Sequence, residues 1–151
     1  MNETFETVVL ERPSPHVLVV RLNRPEARNA MNTQMGHDLK AVWQQMYVDP
    51  GDTRCIILTG TGDKAFCAGG DLAAMSGAAS ETTSTVPVRG GADDIALRFR
   101  HLNKPTIAAI QGNLYAGALL FLCNVTHAIA AEEVKFSAPE IKRGIWPFMV
   151  M

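Results

Sequence analysis

Two short glycine segments and one glutamate carry the chemistry this sequence can offer. The first pair ends the stretch Lys64-Ala65-Phe66-Cys67-Ala68-Gly69-Gly70, with Asp71-Leu72 next, directly after the apolar run 54–60. Consecutive glycines let backbone N–H groups turn outward with no side chain in the way. A second segment, Gly112-Asn113-Leu114-Tyr115-Ala116-Gly117, follows the apolar run 106–111. Outward amides from two separate segments are the parts of an oxyanion hole, which holds an oxygen that gains negative charge. Glu140 stands in Phe136-Ser137-Ala138-Pro139-Glu140-Ile141, a single carboxylate among apolar neighbours, with a proline fixing its approach. A carboxylate lifted out of water moves toward the range where it can take and return a proton. The same glutamate in solvent at a helix start would simply complement the helix dipole. Spacing leaves both readings open.

Other chemistries find less support. Gly60-Thr61-Gly62-Asp63-Lys64-Ala65 matches the GxGxx(G/A) dinucleotide pattern after a strand. The confirming helix start is missing, and no acidic residue stands at a strand end about twenty positions on. A plain turn is the better account. Neither GxxxxGK[ST] nor GxSxG occurs, which removes a P-loop and a nucleophile elbow. The four histidines (His16, His37, His101, His127) have no metal-ligand spacing. Cys67 lies beside the glycines, but no histidine is placed to activate it, and a small buried strand-end residue fits better.

These groups need elements to hold them. The β-rich runs 4–11 and 17–23 flank Arg12-Pro13-Ser14-Pro15-His16, which predicts a hairpin with its turn over 12–16. Asn32-Thr33 offers an N-cap to an amphipathic helix over 34–47, with Met35, Leu39, Val42, Trp43 and Met46 at 3–4 spacing. Asp49-Pro50-Gly51-Asp52 stops it, and a strand over 54–59 follows, so the opening order is β-β-α-β. Residues 75–91 turn to Ser, Thr, Ala and Gly without periodicity and predict a surface loop, either a lid or plainly solvated. A helix over 92–102 is expected next, broken by Asn103-Lys104-Pro105. A strand over 106–111, a helix over 117–123 and short strands over 128–131 and 134–136 complete the pattern.

Length and charge narrow the class. The 151 residues make one domain, 1–151, able to bury a core, with 47% hydrophobic and 19% charged residues. A net charge of −1 gives no field for nucleic acid or an anionic membrane. Cys55, Cys67 and Cys123 lie far apart, as expected of reduced thiols. No apolar run reaches a membrane span, and the start lacks a basic-then-apolar signal design. The expectation is a soluble, cytoplasmic protein without a membrane partner. The apolar end Trp146-Pro147-Phe148-Met149-Val150-Met151 suggests a chain cut short.

Four segments together resemble the crotonase, or enoyl-CoA hydratase/isomerase, superfamily. They are Leu22-Asn23-Arg24-Pro25-Glu26-Ala27-Arg28-Asn29-Ala30-Met31-Asn32, Ala65-Phe66-Cys67-Ala68-Gly69-Gly70-Asp71-Leu72, Asn103-Lys104-Pro105-Thr106-Ile107-Ala108-Ala109-Ile110-Gln111-Gly112, and Phe136-Ser137-Ala138-Pro139-Glu140-Ile141. They stand in family order and spacing. The resemblance implies an α/β (α+β) fold, a spiral of β-β-α units, here without its C-terminal helical part. It implies a CoA thioester substrate, no separate cofactor, no metal, and a homo-trimer or hexamer.

Carried over by position, Gly70 and Gly117 match the two oxyanion-hole residues and Glu140 the acid–base residue. Ala68, Asp71 and Leu72 match the bend that receives the adenine end of CoA, and Arg28 the early loop lining its phosphates and pantetheine. The hydratase pattern carries a first glutamate where this chain has Leu120, in Ala116-Gly117-Ala118-Leu119-Leu120. Hydration uses two carboxylates on a water, whereas moving a proton from C2 to C4 of a 3-enoyl thioester needs one. The resemblance therefore implies isomerisation ahead of hydration. The alternative is an inactive acyl-CoA-binding or assembly subunit.

Overall fold

The computed structural model describes residues 5–73 and 101–144. The expected loop over 75–91, most of the expected helix over 92–102 and the apolar end lie outside the described residues.

The chain opens with a hairpin. β1 (Val8–Ser14) pairs antiparallel with β2 (Val17–Leu22), from Val8 opposite Leu22 to Ser14 opposite Val17. The strand runs on through Arg12 and Pro13, so the turn is narrower than the 12–16 expected. A register shift between Glu11 and Ser14 accommodates this, because proline cannot donate to a ladder and is tolerated at a bulge of an edge strand.

Helix α1 (Thr33–Val48) starts where the sequence predicts. The Asn32 side chain accepts from the Met35 N–H at 2.9 Å and satisfies one of the free donors of the first turn. Met35, Leu39, Val42, Trp43 and Met46 are buried on one face, each worth roughly 1.5–3 kcal/mol against exposure. Asp38 shares that face and ties down the chain start, accepting from the Thr7 N–H and hydroxyl at 2.8 and 2.7 Å. Burial would push its carboxyl up, but the bonds from Thr7, Gln34 and Glu6 outweigh that and hold it below the ordinary carboxylate range.

From here the strands alternate between two sheets. β3 (Cys55–Gly60), β5 (Thr106–Ile110) and β7 (His127–Ala130) extend the hairpin into one sheet of order β1-β2-β3-β5-β7, parallel from β2 onward. β4 (Ala65–Cys67), β6 (Asn113–Tyr115) and β8 (Phe136–Ser137) form a second, parallel sheet of order β4-β6-β8. From β3 on, each large-sheet strand is thus followed by a small-sheet strand and then by helical backbone. That backbone is Leu72–Ala73 after β4, helix α2 (Leu119–Asn124) after β6 and the 3-10 turn Pro139–Arg143 after β8. This is the β-β-α spiral. The sequence pattern missed β4 and β6, which at three residues each show no alternation to read.

Helix α1, the hairpin, β3, β4 and β6 share one core, with Leu18, Trp43, Ile56, Phe66 and Leu114 almost wholly enclosed. Phe66 meets Phe121 of α2 edge to face at 6.1 Å. Burial falls along the spiral: β3 and β5 are covered, while every residue of β7 and β8 is exposed. Among the described residues no helix is long and apolar enough to cross a membrane.

Candidate active site

The small sheet gathers the three segments singled out above. Its strands are parallel, with Cys67 opposite Leu114 and Tyr115 opposite Ser137. Gly69-Gly70, Ala116-Gly117 and Glu140 therefore leave the same end of one sheet in neighbouring positions. In open α/β sheets that carboxyl end is where ligands sit, because the chain turns away there and leaves a crevice.

The first segment is held from outside. The Ala68 N–H donates to the Arg28 carbonyl at 3.1 Å, the Met31 N–H to the Gly69 carbonyl at 2.8 Å, and the Asp71 N–H to the Met31 carbonyl at 2.9 Å. These bonds make Met31 and Gly70 a parallel bridge. A residue flanked by two such bonds turns its own N–H to the other side. Gly70 is exposed, and nothing among the described residues accepts from its N–H.

The second segment is aimed locally. Gly117 is half-buried in the 3-10 turn Ala116–Ala118, which runs into α2. N–H groups of a first turn have no helical acceptor, so that of Gly117 is available. Because α2 is only six residues long, this local donor counts for more than any helix dipole.

Gly69 brings the two segments together. It takes φ +90°, and a Cβ there would stand 2.8 Å from the Tyr115 carbonyl oxygen and 3.4 Å from the Gly117 nitrogen. A Cβ on Gly117 would meet only the Met31 methyl, at 3.7 Å. Of Gly69 and Gly117, packing therefore demands glycine at Gly69, as it does at Gly60 and Gly112, where a Cβ would stand 2.7 Å from neighbouring atoms.

Glu140 lies in the 3-10 turn Pro139–Arg143, half-buried, and its Oε2 is enclosed with no hydrogen-bond partner among the described residues. An enclosed carboxylate oxygen with no donor on it is costly to keep. Leu120 is half-buried in the first turn of α2. Cys67 is fully enclosed, and burial pushes its thiol up to about 12, partly offset by the Gly69 N–H. It stays protonated and takes no nucleophilic role.

The remaining predicted positions fall around the first segment. Ala68 is half-buried, and Leu72 is half exposed at the start of the helical backbone. The Asp71 carboxylate accepts from the Arg24 guanidinium at 2.9 Å and the Ala73 N–H at 3.1 Å. Arg28 is exposed, at φ +53°, and lines a cleft of about 450 Å³ with Lys64, Gln111, Asn113, Tyr115 and Glu133. That cleft is built from connections entering the small sheet, whereas the glycines and Glu140 follow its strands out. Of the predicted site residues only Arg28 reaches it.

Sequence reasoning assigned no role to three polar residues that brace the first segment. Asn29, wholly buried at φ +55°, donates to the Thr61 and Ala65 carbonyls at 3.0 and 2.9 Å. Gln111 donates to the Gly62 and Ala65 carbonyls and accepts from the Gly60 N–H. Arg24 donates to the Ala30 carbonyl as well as to Asp71. Their signal was that they stand inside the motifs, but contacts across 36 to 51 positions leave no local pattern.

Comparison with known proteins places the fold and the family. The model of the family described as enoyl-CoA hydratase/isomerase matches residues 13–151. The chain belongs to that family. It is 40% identical to an enoyl-CoA hydratase of Mycobacterium tuberculosis over 136 residues, 87% of this chain and 49% of that protein. A crotonyl-CoA hydratase of Syntrophomonas wolfei is 31% identical, over 95% of this chain and 54% of its own length. The crystal structure of an enoyl-CoA hydratase/isomerase from Marinobacter aquaeolei superposes with a TM-score of 0.86 at 31% identity, over 95% of this chain and 56% of its own. The family fold is thus the crotonase-like spiral. The chain spans about half the length of the relatives it matches.

Proposed function

We propose that this family member acts on enoyl-CoA thioesters through an enolate, with Gly70 and Gly117 as oxyanion donors and Glu140 as the acid–base residue. The observation that carries this reading is the shared exit of the three segments from the small sheet, with the enclosed Glu140 oxygen unpartnered among the described residues. The Glu140 carboxylate takes the C2 proton of a 3-enoyl thioester, and the C–H electron pair moves onto the thioester oxygen. The two backbone N–H groups hold that oxygen as it becomes negative, each worth about 3–4 kcal/mol of barrier. Protonated Glu140 then returns the proton at C4, and the double bond settles between C2 and C3. Leu120 stands where hydration would need a second carboxylate, which favours isomerisation. Ala68, Asp71, Leu72 and Arg28 would border the CoA portion.

Turnover of 3-enoyl-CoA and 2-enoyl-CoA by the purified protein separates the two reactions. Isomerisation of the former is expected, and equal or faster hydration of the latter would defeat the isomerase reading. Glu140→Gln is expected to lower kcat by roughly 10²–10⁴-fold with thioester binding retained. The exposure of β8 and Ile141 beside Glu140 favours a second reading, an acyl-CoA-binding subunit without catalysis. Calorimetric binding of acyl-CoA with no turnover of either enoyl thioester would establish that instead.

A further inference from the structure

We infer that Arg24 is the positioning residue of the oxyanion site. By bridging the Ala30 carbonyl and the Asp71 carboxylate, it sets the direction in which Gly70 presents its N–H. The inference rests on the reading that Gly70 receives a thioester oxygen.

Gly70 lies in a short ladder of two strips. One strip carries Ala30 and Met31, the other Gly69, Gly70 and Asp71, and the Met31 backbone bonds to both neighbours of Gly70. A third backbone bond, from the Ala68 N–H to the Arg28 carbonyl, ties the strips on the side before Gly70. On the side after it the Arg24 guanidinium adds the side-chain tie, donating through Nη1 to the Ala30 carbonyl at 2.6 Å and to Asp71 Oδ2 at 2.9 Å. Both side chains of the ion pair are largely covered, at 19% and 14% exposure, so water screens it little. The other Asp71 oxygen accepts from the Ala73 N–H and caps the helical backbone that follows. One carboxylate therefore joins the early loop, the glycine turn and the next element. Because the Arg24 charge is neutralised by Asp71, it is not a free cation waiting for a phosphate. Both bonds leave one nitrogen, Nη1, whose two N–H groups lie in the fixed guanidinium plane, whereas an ammonium's donors rotate freely.

Arg24→Met, Arg24→Lys, Asp71→Asn and the double variant Arg24→Met/Asp71→Asn test this in the full chain. The readouts are kcat and KM on the enoyl thioester that the parent protein turns over, the infrared stretch of a ¹³C-labelled thioester carbonyl when bound, and amide hydrogen exchange at Met31 and Asp71, whose N–H groups make the bonds that flank Gly70. Arg24→Met is expected to lower kcat by roughly 10- to 100-fold with KM within about twofold. The bound carbonyl stretch should shift back toward its value in water, and exchange at Met31 and Asp71 should quicken while β1–β3 stay protected. Arg24→Lys should recover part of each effect, and the double variant should lose no more than the single ones. An unchanged carbonyl stretch in folded Arg24→Met, a rise in KM alone, or additive losses would overturn the inference. Should Arg24→Met not fold, Arg24→Lys with parental kcat and carbonyl stretch would overturn it equally. If the parent protein neither binds nor turns over a thioester, the oxyanion reading of Gly70 fails by itself. Arg24 is then judged by exchange: unchanged rates at Met31 and Asp71 in its variants would refute positioning.

Discussion

In the proposed site the two glycine segments would do one job by opposite means. The segment ending in Gly69-Gly70 is held by partners far away in sequence: Arg28 and Met31 bond to it through backbone, Asn29 and Gln111 to its Ala65 carbonyl, and Arg24 to the following Asp71. Ala116-Gly117 needs none of these, because a strand ending in a 3-10 turn already leaves its first N–H groups free. The local device has its own cost. Ala116 sits at φ +55°, a left-handed conformation that disfavours a side chain by roughly 1–2 kcal/mol. The difference teaches that a donor in an irregular turn needs scaffolding, whereas a donor at a helix start is aimed by the helix itself.

The sharpest way to break this contrast is a methyl group in each segment. Gly69→Ala combines a strained φ with a 2.8 Å approach to the Tyr115 carbonyl and is expected to destabilise by about 3–4 kcal/mol in urea unfolding. Gly117→Ala should change stability by no more than about 0.5 kcal/mol, since only the Met31 methyl lies near. Equal losses at the two sites would dissolve the distinction.

Alkaline pH gives a middle-sized test, acting on Cys67 just before the first segment. Burial keeps the folded thiol protonated up to about 12, while an unfolded thiol ionises near 8.5. The folded state then holds the extra proton, so this contribution is complete below about 8.5 and falls by roughly 1.4 kcal/mol per unit above it. At pH 10 the loss from this group is about 2 kcal/mol. Cys67→Ala should flatten that slope between pH 8 and 10 relative to the parent, on a pH series of unfolding curves.

The smallest effect belongs to Ala116→Gly. Relief of the left-handed alanine outweighs the added freedom of the unfolded chain, for a gain of roughly 0.5 kcal/mol. A loss of stability would mean that the alanine methyl packs better than its φ suggests.

Much of this arrangement was legible from residue types. The helix over Thr33–Val48 followed from Asn32 and the 3–4 spacing, and the strands of the large sheet from their apolar runs. Gly70, Gly117 and Glu140 could be singled out because outward amides and a lone carboxylate among apolar residues are local features. β4 and β6 could not, being too short to show a period. The bracing by Arg24, Asn29 and Gln111 was equally hidden, since a polar residue in a loop reads as solvated until its partner is known.

The sequence by itself determined which groups are available here: two glycine amides and one carboxylate. Each is a property of a residue and its near neighbours, whereas the weight given to Leu120 comes from the resemblance to the family pattern. Only the tertiary structure decided that three strand ends share one end of a small sheet, that packing requires glycine at Gly69 and not at Gly117, and that the Asp71 carboxylate turns to Arg24. Those outcomes depend on register between strands and on contacts across tens of positions. They are set when the core closes rather than by any local run of residues.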